Sequence, residues 1–372
     1  MPVDPTFPRP LSDRAETSFT LPSDYYLDEA IFELEKQQIF YRSWQYVGHQ
    51  SMLTNIGDYI TLQICDESIF VIRSSDSELR AFYNVCRHRA HELLSGSGNV
   101  KNLIVCPYHA WSYDNQGALQ QARMSEHRPG FDKADFCLPA IRLEVFCGCV
   151  FVNLDKDCDS LADIAGNLEA DVRRHIPYLD DIELCGSNLL GETRIDAGWK
   201  VVIDNYVECY HCRPAHRDFA SIIDMDKYQV EVFPYWSRQY GPEIRIENSA
   251  YPLNPHEGMQ SSVFWYLWPN TTFNVLPGSN EFAVFAVRPL AVDRCDFGGH
   301  SLSVGGKIYQ PRADYVAETL APEDIHLCES VQRGLKSKSY QQGSFMVDPD
   351  NPGESEYALH HFHRLVQKSL CD

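Results

Sequence analysis

The chain has 372 residues, 44% hydrophobic and 23% charged, and its 52 acidic residues against 32 basic ones give a net charge of −20. That balance excludes a broad basic surface for nucleic acid. Apolar runs such as Val145–Val152 fall far short of the roughly 20 residues that cross a bilayer. Residues 1–20 carry four prolines and read as a surface arm, ordered only if something ties it down. Met1-Pro2-Val3-Asp4-Pro5 has no cationic region and no apolar stretch behind it, so no secretory signal is expected. Residues 25–45 are helix-like, with Ile31, Leu34, Ile39 and Phe40 at helical spacing.

From about 45 to 155 the texture changes to short runs rich in Val, Ile, Tyr and Phe, broken by Gly, Asn, Asp and Ser. Tyr59–Ile64, Ser68–Arg73, Leu79–Val85, Leu103–Val105, Trp111–Tyr113 and Val145–Leu154 predict a small, mostly antiparallel β domain. Beyond Asp155-Lys156-Asp157 the pattern is helical to about 180. Helix follows near 199–213, then strands near 228–233, 262–275 and 281–288. Two further helices run from about Pro322 to Leu335 and from about Glu356 to Leu370. The chain is long enough for two or three domains.

Thirteen cysteines, an odd number scattered through the chain, suit a reducing cytoplasm with thiols that are free or metal-bound. Four candidate ligands stand together in Cys86-Arg87-His88 and Cys106-Pro107-Tyr108-His109, a C-x-H and a C-x2-H separated by seventeen residues. They fit a tetrahedral structural zinc. They also fit a [2Fe–2S] cluster with two cysteines on one iron and two histidines on the other. The second choice is favoured by the C-x-H half, by the small loop Ser95-Gly96-Ser97-Gly98, and by Pro107 stiffening the turn over the metal.

A second group lies in Asp204-Asn205-Tyr206-Val207-Glu208-Cys209-Tyr210-His211-Cys212-Arg213-Pro214-Ala215-His216. Glu208 and His211, three apart, are expected to share a helix face. Pro214 should end or distort that helix and bring His216 round to His211. Two imidazoles and a carboxylate make a facial iron site with positions left open for oxygen. The carboxylate candidate is Asp324, on a helical stripe with Cys328, Val331 and Leu335, where an unpaired charge would be costly. Glu323 and Glu329 are rivals off that stripe. Cys209-x2-Cys212-x3-His216 also reads as a zinc fragment, which leaves a zinc-stabilised binding protein, or a plain electron carrier, as alternatives.

The ordered set C-x-H…C-x2-H, D-N-Y-x-E-C-Y-H-x4-H and E-D-x3-C-E-x-V-Q-R-G resembles the oxygenase (α) subunit of the Rieske non-haem iron oxygenases, the aromatic-ring-hydroxylating dioxygenases. The likeness runs from about Tyr25 to Val366. It implies an α+β chain: an arm and helix (1–44) packing on the catalytic domain, a Rieske domain (45–155), and a catalytic domain (156–372) with a helix-flanked antiparallel sheet. By the same resemblance Cys86, His88, Cys106 and His109 hold the cluster, and His211, His216 and Asp324 hold mononuclear Fe(II). Glu208 stands where the family has an acidic residue linking the iron site to a cluster histidine of the next subunit. Ring-dihydroxylating members usually carry aspartate there. Asn205 lies near the iron, and a ring-shaped homotrimer is implied.

Glu208-Cys209-Tyr210-His211-Cys212 and Glu329-Ser330-Val331-Gln332-Arg333-Gly334 further resemble the branch of carnitine monooxygenases and related oxygenases of betaines. That branch monooxygenates and cleaves a C–N bond; ring dihydroxylation is the alternative. No G-x-G-x-x-G follows a strand, so a separate NAD(P)H reductase is expected to deliver electrons. Tyr235, Trp236, Phe264, Trp265, Tyr266, Trp268 and Phe273 cluster between the iron-ligand segments. Tyr235, Trp265, Trp268 and Phe273 are the candidates to hold a quaternary ammonium by cation–π attraction, although alternation sends most of the set into the core.

Overall fold

A computed structural model describes residues 9–186 and 192–371, so the first eight residues of the proline-rich arm lie outside the described residues. Its contacts divide the chain into two units. One is Phe40–Asp163; the other joins the N-terminal segment up to Ile39 to Ile164–Asp372.

Within the first unit, a seven-stranded antiparallel sheet runs in the order Gln45–His49, Cys149–Asn153, Ala140–Phe146, Glu78–Tyr83, Glu67–Ser75, Asp58–Ile64, Ser97–Asn99. A second sheet is formed by Ile104–Val105, Ser112–Tyr113 and Leu119–Gln121. Phe70, Ile72, Phe82, Trp111 and Tyr113 are buried in one core that also takes in Cys86 and Cys106. The run Val145–Leu154 is not one strand. It turns back at Cys147 and Gly148, both with positive φ (52° and 75°), as a two-residue hairpin demands. A Cβ on Gly148 would lie 2.4 Å from the His49 ring, so only glycine fits. The Ser95–Gly98 segment likewise is not a simple loop: Ser97–Asn99 is an edge strand paired with Asp58–Ile60.

The second unit holds an eight-stranded antiparallel sheet. Its path is Ile182–Leu184, Arg294–Val304, Glu281–Ala291, Thr271–Val275, Ser262–Leu267, Trp236–Gly241, Gln229–Phe233, and Thr193–Ile195 pairs with Arg294–Val304 off that path. The apolar stretch 262–275 is two strands, joined through a turn at Trp268-Pro269-Asn270. Helices Leu168–His175, Trp199–Tyr206, Ala321–Leu335 and Tyr357–Cys371 belong to this unit. The architecture is α+β. Among the described residues no helix is long and apolar enough to cross a membrane.

The arm is tied down. Thr20 and Ser23 donate backbone N–H to Gly343 and Gln341 (3.1 and 2.8 Å), and Leu21 N–H donates to His363 Nδ1 (3.1 Å). In the following helix the buried face is Phe32 and Glu35, while Leu34 is exposed, contrary to the sequence pattern. The reason is polar: Glu35 accepts from Trp199 Nε1 (2.8 Å) and pairs with Lys200 Nζ, all three buried. Burial lowers the Lys200 pKa, and Glu35 opposes that shift. Glu35→Ala strands a buried ammonium and is expected to cost about 3–5 kcal/mol. Urea denaturation would measure it, and a loss below about 1 kcal/mol would mean the ammonium finds water.

Candidate metal centres

The two cysteine–histidine loops of the β unit share one backbone design. Cys86 N–H donates to His91 O (2.8 Å) and Ala90 N–H to Cys86 O (3.0 Å). Cys106 N–H donates to Trp111 O (2.8 Å) and Ala110 N–H to Cys106 O (3.0 Å). Ala90 and Ala110 both adopt left-handed φ, 57° and 59°. Strain repeated at equivalent places in two loops marks a site that needs that shape. Each turn buries its cysteine and sends its histidine outward. The His88 and His109 rings lie edge to face with centroids 4.6 Å apart, and His88 stacks on Trp111 at 4.8 Å.

Partial burial, then His109 and Arg89, lower the His88 pKa and favour the neutral imidazole that a metal requires. Burial pushes the Cys106 thiol up, while backbone N–H groups of Tyr108 and His109 pull it down. Two inward sulfurs and two outward imidazoles fit a cluster with chemically distinct irons.

Tyr113 adds to this group. Its hydroxyl accepts from Arg87 N–H (3.0 Å) and lies 3.4 Å from Cys86 Sγ, leaving its own proton free for the sulfur. Burial, then the contact with Cys86, raise its pKa, so it stays a donor. Tyr113→Phe should lower the cluster potential by about 40 mV, the one-electron equivalent of a hydrogen bond worth about 1 kcal/mol. Redox titration followed by EPR reads the shift, and an unchanged potential would remove Tyr113 from the cluster.

In the second unit, the Trp199–Tyr206 helix stops before Glu208. Glu208 and His211 therefore meet across a turn, not along a helix face. Cys209 and Cys212 in that turn are joined by a disulfide, with Cα atoms 4.9 Å apart. The expectation that every thiol is free or metal-bound is corrected here, because the tight C-x2-C turn brings the pair within bonding reach. The zinc-fragment reading falls with it. Pro214 does not end the next helix, Cys212–Ala215, because it occupies the first turn, where no intrahelical N–H is needed. The chain bends two residues later at His216, whose φ and ψ are −115° and 69°.

The His211 and His216 rings then stand 5.0 Å apart, and the ligand atoms of His211, His216 and Asp324 all lie within 4.8 Å of one another. Both imidazoles are held in the same way. Nδ1 of His211 donates to Glu208 Oε1 (2.5 Å), and Nδ1 of His216 donates to Glu323 Oε2 (2.7 Å). Both Nε2 atoms turn toward one oxygen, Asp324 Oδ1, at 3.7 and 2.9 Å. Asn205 Nδ2 is 3.4 Å from His211 Nε2. Burial lowers the His216 pKa, but Asp324 and then Glu323 outweigh it and lift it to about 9. A site that holds a proton so firmly attracts a cation, and outer carboxylates on Nδ1 aim the free nitrogens at it.

Asp324 lies at the start of Ala321–Leu335, two residues after Pro322, whose missing N–H falls just after the π-helical turn Val316–Leu320. Its buried stripe continues through Cys328, Gln332 and Leu335, whereas Val331 is exposed. Glu323, off that stripe, is placed to hold His216, a contact 107 residues apart that no local pattern announces.

A cavity of about 180 Å³ opens on the triad. Its ring-bearing wall is Tyr206, Phe219, Tyr228, Phe264, Phe285 and Phe297. Tyr235, Trp265, Trp268 and Phe273 do not line it, and their candidacy as substrate contacts is corrected. Strand alternation explains this. Phe264 and its partner Asn274 face the cavity, so Trp265 and its partner Phe273 face away. Trp265 Nε1 donates to Asp171 (2.8 Å), and Phe273 stacks on Phe282 (5.7 Å). Trp268 packs on Trp199 and Phe362, and Tyr235 sits in the turn before Trp236, its carbonyl taken by Trp268 N–H. The lining residues Phe219, Phe285, Phe297 and Arg312 come from separate elements. Only the alternation of Ala283 and Phe285 along one strand carried a signal for them.

Comparison with known proteins adds two family matches. Residues 168–371 match the ring hydroxylating alpha subunit (catalytic domain), and residues 43–134 match the Rieske [2Fe-2S] domain. The carnitine monooxygenase oxygenase subunit of Acinetobacter pittii (strain PHEA-2) is 38% identical over 355 residues, covering 94% of this chain and 95% of the relative. A quaternary ammonium Rieske monooxygenase solved with L-carnitine superposes with a TM-score of 0.86 at 37% identity, covering 96% and 97% of the two chains. A structure of a quaternary ammonium Rieske monooxygenase that gives insight into inter-subunit electron transfer has a TM-score of 0.86 at 36% identity, over 95% and 96%.

Proposed function

The chain belongs to the ring-hydroxylating oxygenase α-subunit family with its Rieske [2Fe–2S] domain, and from that premise we propose that it monooxygenates a small quaternary amine of the carnitine or betaine type, with C–N cleavage. The cavity supports this reading. Ring faces suit a quaternary ammonium by cation–π attraction, and the carboxylates of Glu208 and Asp324 border the same space. Hydroxylation at a carbon attached to nitrogen gives an unstable carbinolamine. It releases trimethylamine or formaldehyde according to the carbon attacked.

Cys86, His88, Cys106 and His109 would hold the cluster, and His211, His216 and Asp324 the mononuclear iron. When bound, the cluster supplies electrons singly and the iron activates dioxygen. Glu208 and Glu323 fix both imidazoles by accepting their Nδ1 protons. Asn205 stands beside His211 Nε2. The aromatic wall keeps water from the reacting carbon.

Residues 45–155 would be the electron-storing domain and 156–372 the oxygen-activating one, with 1–44 packed on the latter. A separate NAD(P)H-dependent reductase would feed the cluster. In a homotrimer Glu208 would also accept from His109 of the partner subunit, joining one chain's cluster to the next chain's iron. The cytoplasm suits such a reductase-coupled system.

Purified chain reconstituted with iron, sulfide, reductase and NADH should release trimethylamine or formaldehyde from L-carnitine or glycine betaine and leave benzoate untouched. Oxygen consumption driven only by benzoate would replace this reading with ring hydroxylation. A colourless, EPR-silent zinc protein would end both.

A further inference from the structure

Arg312 is the one arginine or lysine among the described residues that line the cavity opening on the triad, and nothing in the proposed chemistry has used it. Arg312 is 3% exposed, on the helix Gln310–Tyr315. Its Nη2 donates to Oε2 of Glu281, itself 1% exposed, and Glu281 Oε1 accepts from Tyr309 N–H (2.6 Å). That contact engages Nη2. Its Nε is buried and has no hydrogen-bond partner. No other described residue lining this cavity has such an atom. The neutral polar groups nearby are satisfied among themselves. Tyr206 hydroxyl donates to Asn274 Oδ1 (2.8 Å), and Gln239 Nε2 donates to Tyr206 O (2.6 Å).

A buried N–H without an acceptor is costly unless a ligand provides one. A guanidinium presents donors in a planar fork that matches a carboxylate, and it can serve two carboxylates on different edges. We propose that Arg312 recognises the carboxylate of a zwitterionic substrate, so that the enzyme selects quaternary ammonium acids over quaternary ammonium amides or alcohols. This rests on the quaternary-amine reading above. It assigns the two ends of one molecule to two parts of the cavity: aromatic faces for the ammonium, Arg312 for the acid.

The test compares L-carnitine with its carboxamide, which keeps the ammonium and the hydroxyl but removes the negative charge. Holoenzyme and reductase are used throughout, and trimethylamine or formaldehyde release is the readout. Wild type should favour the acid by at least about tenfold in kcat/KM, the worth of one charge-assisted hydrogen bond. Arg312→Lys keeps a cation for Glu281 but loses the fork. It should raise KM for the acid by about tenfold or more, with the amide's KM and both kcat values little changed. Equal use of acid and amide by wild type overturns the proposal while leaving quaternary-amine oxidation intact. That comparison decides the matter even if the variant does not fold. A variant that loses acid and amide alike makes Arg312 a structural partner of Glu281 only. Turnover of neither compound by wild type removes the quaternary-amine reading along with this one.

Discussion

Asp324→Ala should lose the mononuclear iron, keep the cluster chromophore, and lower turnover by at least about a hundredfold. Outer partners of metal ligands are worth roughly 10–100-fold, and Asp324 is proposed as a ligand itself. Its Oδ1 is the oxygen toward which both Nε2 atoms turn, 3.7 Å from His211 and 2.9 Å from His216. Removing it leaves two neutral nitrogens and no negative charge in the triad. The neighbouring Glu323 cannot replace it without releasing His216 Nδ1. Iron content by elemental analysis and the visible spectrum separate the two metals in one sample. Retained iron with retained turnover would falsify the triad assignment.

Glu208→Gln should leave both metals bound and slow the transfer of electrons to the iron site by about a hundredfold. The amide oxygen can still accept from His211 Nδ1, so the ring stays aimed. What disappears is the negative charge and the second strong acceptor that would take a proton from a neighbouring chain's imidazole. Glu208→Ala is the useful contrast: it releases the ring as well, and iron affinity should then fall. Single-turnover mixing with oxygen, followed by cluster absorbance, reads the step directly. Cluster oxidation at the wild-type rate in Glu208→Gln would take the bridge out of the mechanism.

The metal-ligand candidates were legible because each lies in a short segment whose residue types have few other uses together. Asp324 was legible as a charge on an apolar stripe, although that stripe leans through Gln332 and not Val331. Its neighbour's role was not legible, since the partner of Glu323 is 107 residues away. Strand existence was readable, but strand ends were not always. Val145–Leu154 hides its turn in Cys147-Gly148, a pair without the usual polar turn residues. The aromatic candidates failed for a reason of register. Alternation says that Phe264 and Trp265 face opposite ways, but only the pairing of the whole sheet decides which way is toward the metal.

Tyr26 hydroxyl and His363 Nε2 both bond Asp204, at 2.7 and 3.0 Å, one residue before Asn205. The segment bearing Glu208 and His211 is thus braced by residues from far upstream and far downstream. During synthesis His211 and His216 emerge long before either Asp324 or His363 exists. The oxygen-activating pocket therefore cannot be finished in stages from its N-terminal side. Ferrous ion arriving early would meet a His216 not yet aimed by Glu323 and no Asp324 carboxylate, so iron binding here is expected to follow synthesis of the Ala321–Leu335 helix.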